Sequence, residues 1–127
     1  RCIGYAPEGD NVAAPVSDAF VVAPWSDAAA LAAFAAQCDA VTWEFENVPL
    51  AAVDAIPAAR LFPPRRSLEV AQDRLNEKQF VHELGGATAP YLAVDSRSDL
   101  DHAMERVGAP GILKTRREGY DGKGQWR

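Results

Sequence analysis

The feature that most constrains the fold is an alternation in which short apolar runs, bounded by chain-breaking residues, are followed by stretches with helical spacing. Residues 2 to 6, CIGYA, and 20 to 23, FVVA, are flanked by Pro, Gly, Asn and Asp, so both are expected as buried strands. Ser26 is placed to cap a helix over residues 27 to 37. There Leu31, Phe34, Ala35 and Cys38 recur at the interval that turns one helical face toward a sheet. AVTWEFE, residues 40 to 46, predicts another strand. Pro49 then suits the first turn of a helix reaching about Ile56, because that position needs no amide donor. Leu61 and Phe62 predict one more short strand. Strand, helix, strand, helix is the order of an α/β protein with a parallel sheet.

Pro63 and Pro64, followed by Arg65 and Arg66, mark the expected boundary between a first domain, residues 1–68, and a second, residues 69–127. Past the boundary, Ser67 opens a helical stretch in which Asp73 caps a second helix, stopped by Gly85 and Gly86. A strand is expected near 91–94. Ser96 caps a helix whose Leu100, Ala103, Met104 and Val107 share one face, and Gly108 supplies its left-handed stop. PGILKTR then reads as a strand entering a glycine-rich turn, with the chain returning at Gln125 and Trp126.

With 48% hydrophobic residues and no apolar run near the ~20 needed to cross a bilayer, the composition is that of a globular chain. Neither a membrane segment nor a secretory signal is expected, and the localisation that follows is cytoplasmic. Cys2 and Cys38 lack metal-ligand spacing and are expected as core thiols in a reducing compartment. A net charge of −5 argues against nucleic acid as a partner. The charge is uneven, however. From Pro110 onward Lys114, Arg116, Arg117, Lys123 and Arg127 face only Glu118 and Asp121. A small basic island inside an acidic chain suits an anionic small molecule better than a polymer.

That island is KTRREGYDGKGQWR, residues 114 to 127. Gly119, Gly122 and Gly124 permit positive φ and close approach, so backbone amides can turn inward toward an oxyanion. A plain hairpin turn needs the same residues, and both readings stand at this level. A P-loop is excluded because Lys123 is followed by Gly124 and an apparent strand. The dinucleotide fingerprint is excluded because no helix follows. In WEFENV, strand alternation puts Glu44 and Glu46 on one face and Trp43 and Phe45 on the other. Unpaired buried charges cost several kcal/mol, so the carboxylates are expected at the strand's carboxyl end, beside a ligand crevice, or on a solvated edge. Arg74 begins a helix, where the macrodipole gives a cation nothing, and either an anionic ligand or plain solvation accounts for it. His82 and His102 read as surface residues. No Ser, His and Asp set presents itself, so no catalytic residue is assigned, and no metal ligand.

Three stretches in order, VTWEFENVP, PPRRSLEVAQDRLNEKQFVHELGGATAPY and ILKTRREGYDGKGQWR, resemble the ATP-grasp ligases, and within them the branch that carboxylates an aminoimidazole ribonucleotide in purine biosynthesis. The resemblance covers nearly the whole chain, with residues 1 to 35 matching only in general pattern. It implies a partial Rossmann-like pre-ATP-grasp domain followed by the first part of an ATP-grasp domain. The implied reaction phosphorylates bicarbonate with ATP, accompanied by Mg2+, and passes the carboxyl group of carboxyphosphate to the exocyclic amine of 5-aminoimidazole ribonucleotide. Carried over by residue, Arg74 and Lys114 contact ATP. Gly119, Tyr120, Asp121, Gly122, Lys123, Gly124 and Gln125 form the loop over the triphosphate, with Tyr120 and Asp121 also near the ribonucleotide. Glu44, and with it Glu46, face that ribonucleotide from the first domain. The resemblance further implies a homodimer of the full-length enzyme. Glu118 departs from the pattern, standing where the family often has glycine. The opening strand before Arg1 and the metal ligands after Arg127 are also missing from the pattern, so the chain is expected to be a fragment. A formyl- or amino-transferring purine ligase and a noncatalytic nucleotide-binding module are the alternative expectations.

Overall fold

A computed structural model describes residues 1–119 and 122–127. The chain divides into two compact units, Arg1–Glu69 and Val70–Arg127.

In the first unit, β1 (Ile3–Ala6) and β2 (Ala19–Val22) pair in parallel, with Ile3 opposite Ala19 and Ala6 opposite Val22. Their connection, residues 7–18, contains one short 3-10 turn, Ala14–Val16, and buries no residue. Helix α1 (Ala28–Ala36) starts at Asp27, whose carboxylate accepts from the Ala30 amide at 2.9 Å. Asp27 thus performs the capping expected of Ser26. The helix buries Leu31, Phe34 and Ala35, the one-face spacing read from the sequence. At its far end Arg60 Nη1 donates to the Ala35 carbonyl at 2.7 Å, placing a cation where the helix dipole favours one. Helix α2 (Leu50–Asp54) follows Pro49, which occupies the capping position just ahead of the first turn.

Leu31, Phe34, Ala35, Val41, Val48, Ala52, Val53, Leu61 and Leu68 form one continuous buried core. Each fully buried Leu or Phe removes enough apolar surface from water to contribute about 1.5–3 kcal/mol. Leu68 arrives on helix α3 (Arg65–Ala71), which begins directly after the proline pair, two residues before the expected Ser67. Tyr5 sits 5.4 Å from both the Trp25 and Phe34 ring centroids, and its hydroxyl donates to the Pro24 carbonyl at 2.9 Å. Burial pushes the Tyr5 phenol upward, and the nearby Asp27 charge adds to the effect.

Three expectations fail here. The strand expected at 40–46 is reduced to a single parallel bridge, Val41 to Leu61, made by the Val41 amide to the Arg60 carbonyl at 2.6 Å and the Phe62 amide to the Val41 carbonyl at 2.8 Å. The strand expected at 61–62 is the other side of that bridge. Past Val41 the chain leaves the pairing direction and turns toward Pro49, so Glu44 and Glu46 stand exposed instead of sharing one face of a ladder. The desolvation cost of two carboxylates in a strand covered on both sides is avoided by not forming the strand. Cys2 is exposed, not a core thiol, because it precedes β1 and its amide is tied outward to Asp18 Oδ2 at 2.6 Å; Cys38 is half-buried.

The second unit is built on capped helices. In α4 (Arg74–Glu83), Asp73 accepts from the amides of Leu75, at 2.9 Å, and Asn76, at 3.4 Å, and Gly85 follows the helix at φ 79°. In α5 (Arg97–Val107), Ser96 Oγ accepts from the Asp99 amide at 3.2 Å, while Asp99 Oδ2 accepts from the Asp95 amide at 3.1 Å. The first bond satisfies a helix-start donor that otherwise lacks a partner, and the second ties the residue ahead of the cap to the first turn. Gly108 ends α5 at φ 85° and ψ 175°, a positive-φ conformation open to glycine but not the left-handed helical stop expected. The strand expected at 91–94 does not form. Tyr91 instead lies back on α4, with Lys78 Nζ 5.1 Å above its ring and the His82 ring 5.8 Å away. Finally β3 (Leu113–Lys114) and β4 (Gln125–Trp126) pair antiparallel, Leu113 opposite Trp126 and Lys114 opposite Gln125, so the chain enters and leaves the glycine segment side by side.

Candidate functional site

The β3–β4 pairing fixes both ends of the glycine-rich segment, and the start of α4 lies against it. The Arg74 amide donates to the Arg116 carbonyl at 3.0 Å, and its guanidinium Nη2 donates to the Gly119 carbonyl. An arginine at the first position of a helix gains nothing from the dipole. Here its position is explained by the turn that it holds.

Arg74, Lys114, Gly119, Gly122, Lys123, Gly124 and Gln125 line one cavity of about 220 Å³. The cations around it fall into two groups. Arg116 pairs with Asp95 at 2.7 Å and Arg117 lies 3.8 Å from Asp73. Lys114 and Lys123 make no ion pair among the described residues, and both face the cavity together with Arg74. Carboxylates therefore balance the arginines beside the site, while the lining itself carries positive charge. Gly122 at φ 77° and Gly124 at φ 64° adopt backbone that ordinary side chains disfavour. A lining that is basic and rich in glycine attracts an anion of several charges.

Tyr120 and Asp121, assigned to this loop from the sequence, lie outside the described residues. Glu44 and Glu46 belong to the first unit, exposed on the turn between Val41 and Pro49. Among the described residues, no group of three His, Cys, Asp or Glu is placed to hold a metal ion. Among the described residues, no helix is long and apolar enough to cross a membrane.

Sequence reasoning missed Thr115. Its amide donates to the Gly124 carbonyl at 2.8 Å, and its Oγ1 lies beneath the turn, 2.7 Å from where a Cβ on Gly119 would stand and 2.5 Å from one on Gly124. The available signal was strand alternation, which places the neighbour of Lys114 on the face opposite the lysine. Asp73 was read only as a cap, and its second role beside Arg117 needs a fold to become visible.

The model of the ribonucleotide synthetase preATP-grasp domain matches residues 1–72. The chain belongs to this family. Following the preATP-grasp match, an ATP-grasp domain model matches residues 79–127. The preATP-grasp chain is 48% identical over 122 residues to the N5-carboxyaminoimidazole ribonucleotide synthase of Brucella melitensis, covering 95% of this chain and 34% of that protein. Among solved structures, the N5-carboxyaminoimidazole ribonucleotide synthetase of Thermus thermophilus superposes with TM-score 0.79 at 40% identity, covering 98% of this chain and 33% of the other. The Staphylococcus aureus synthetase complexed with ADP superposes at 0.84 and 32%, covering 97% and 33%. The fold is thus that of a preATP-grasp domain followed by part of an ATP-grasp domain, and the chain spans about a third of the length of these relatives.

Proposed function

We propose that this chain is the preATP-grasp and leading ATP-grasp portion of a ligase that uses ATP and bicarbonate to carboxylate 5-aminoimidazole ribonucleotide in purine biosynthesis. The observation that carries the reading is the convergence of Arg74, Lys114 and Lys123 on a cavity also lined by Gly119, Gly122 and Gly124, with the neighbouring arginines already engaged by carboxylates. The names of the relatives and the ADP complex of the Staphylococcus aureus enzyme support it.

In this reading Arg74, Lys114 and Lys123 take the charge of the triphosphate, and Gly119 to Gln125, with Tyr120 and Asp121 included, form the loop over it. Fixed cations and amides aimed at a transferring phosphoryl group lower its barrier without reorganising at the moment of transfer. Covering the site keeps water from carboxyphosphate, an acyl phosphate prone to hydrolysis. Glu44 and Glu46, with Tyr120 and Asp121, are assigned to the ribonucleotide. The division of labour falls at residues 1–68 and 69–127. Magnesium enters only as the counter-ion of ATP, and no step is assigned to it. The full-length enzyme is proposed as a cytoplasmic homodimer.

Lys114→Ala in the full-length protein tests the site. Loss of a charge-assisted contact worth about 1.5–3 kcal/mol predicts ATP affinity about 10- to 100-fold weaker in calorimetry with Mg2+ present. Unchanged affinity removes Lys114 from the site. Bicarbonate-dependent phosphate release that requires the aminoimidazole ribonucleotide separates the carboxylating reading from a formyl- or amino-transferring ligase.

A further inference from the structure

Helix α4 begins against the segment that leaves β3, and two adjacent residues make the junction. The first amides of an α-helix have no partner inside it. At α4 those of Arg74, Leu75 and Asn76 are answered from outside the helix, the first by the Arg116 carbonyl at 3.0 Å and the other two by Asp73 Oδ1 at 2.9 and 3.4 Å. The second oxygen of that carboxylate, Oδ2, lies 3.8 Å from Arg117 Nε. Arg74 carries the junction further, donating from its guanidinium to the Gly119 carbonyl and lining the cavity with Lys114 and Lys123. Asp73 is absent from that lining, although its side chain is only 15% exposed. By charge alone, a carboxylate one residue from the cavity's arginine works against an anion bound there. Its geometry works for one.

Resting on the nucleotide-binding reading above, we propose that Asp73 is a positioning residue for the nucleotide: by capping α4 it holds the Arg74 backbone where the guanidinium meets the polyphosphate, without itself touching the ligand. A long arginine side chain loses rotamer freedom when a ligand fixes it, and holding its backbone beforehand removes part of that cost. The cap carries most of the effect. The ion pair to Arg117 is long and that guanidinium is 60% exposed, so it adds little. A side chain that caps without charge therefore replaces Asp73, whereas one that keeps the charge at the wrong reach does not. Asparagine caps a helix about as well as aspartate, and glutamate falls outside the side chains favoured at that position.

The test titrates full-length protein with ATP and Mg2+ in a calorimeter, at a temperature where melting curves show every variant folded. Asp73→Ala is expected to bind ATP about tenfold more weakly and Asp73→Glu about fivefold, while Asp73→Asn stays within about twofold of wild type. Charge alone predicts the reverse, tighter binding once the carboxylate is neutralised. Tighter or unchanged binding in Asp73→Ala therefore overturns the proposal, as does equal weakening in Asp73→Asn and Asp73→Ala. A double-mutant cycle separates positioning from a general loss of structure. In an Arg74→Ala background, Asp73→Ala should change affinity by less than about twofold, because the residue it acts through is gone. A full tenfold loss in that background overturns the proposal. If Asp73→Ala does not fold, Asp73→Glu takes its place in the cycle, and an undiminished loss there overturns the proposal in the same way. A wild type that binds no ATP overturns the nucleotide reading and this inference together, whereas normal binding in wild type and Asp73→Ala alike overturns only this one.

Discussion

The helices of the two units are held by different physics. In the first unit α1 commits three of its nine residues, Leu31, Phe34 and Ala35, to a continuous apolar core. In the second, α4 and α5 bury no residue, and Met104 on the expected apolar face of α5 is 61% exposed. What these two helices do have is thorough capping, by Asp73 at one start and Ser96 with Asp99 at the other. Apolar burial resists opening in proportion to area removed from water, whereas capping bonds each contribute modestly and sit at helix ends that fray. The glycine turn and its cationic cavity belong to the unit with the shallower packing.

Leu31→Ala should have the largest effect. Leu31 is 2% exposed in the centre of the first core, and truncating such a residue costs about 2–5 kcal/mol. Met104→Ala should stay within about 0.5 kcal/mol, as expected of an exposed position. Urea unfolding combined with helix-resolved hydrogen exchange measures both, and a Met104 penalty equal to that of Leu31 would abolish the contrast. Next, Asp73→Ala removes two amide bonds at the start of α4 and the carboxylate beside Arg117, with an expected cost of about 1–2 kcal/mol. Faster exchange confined to α4 is the readout, and a loss spread evenly over the first unit would contradict it.

Glu118→Gly should act in the other direction. Glu118 holds φ 58°, which costs a residue with a Cβ roughly 1–2 kcal/mol. Glycine relieves that strain while losing about 0.5–1 kcal/mol more chain freedom on folding, for a net gain of about 0.5 kcal/mol. A destabilised variant in thermal melting would show that the side chain contributes more than its backbone strain removes. The smallest effect concerns pH. The Ser96 hydroxyl, followed by the Asp95 amide, holds the Asp99 carboxyl below its ordinary value. Because folding lowers that pKa, its contribution is complete above the ordinary carboxylate range and is lost as pH falls through the folded value. Asp99→Asn should flatten the acid-side loss of α5 protection, and an unchanged profile would assign that loss to other groups.

Local chemistry was legible wherever the sequence places cause beside effect. Ser96, Asp73 and Gly108 mark helix ends through groups a few residues away, and the one-face spacing of α1 names its buried residues directly. The misread segments depend on distant partners. VTWEFE has the composition of a strand, yet whether it pairs depends on Leu61 twenty residues later, and only Val41 finds that partner. The segment at 91–94 has strand composition too, but Tyr91 finds an aromatic and cationic surface on α4 instead. At the site, Lys114 and the glycines were named from residue type and spacing. Thr115, directly after β3, stood out by residue type no more than any threonine, because its closeness to Gly119 and Gly124 depends on how the chain returns.

The connection from β1 to β2 buries nothing and passes through one short turn. Lengthening such a link adds closure entropy only logarithmically, about 0.6 kcal/mol per doubling. Residues 8–13 are therefore a practical attachment point for a fluorophore or affinity tag, in a different compact unit from the glycine turn.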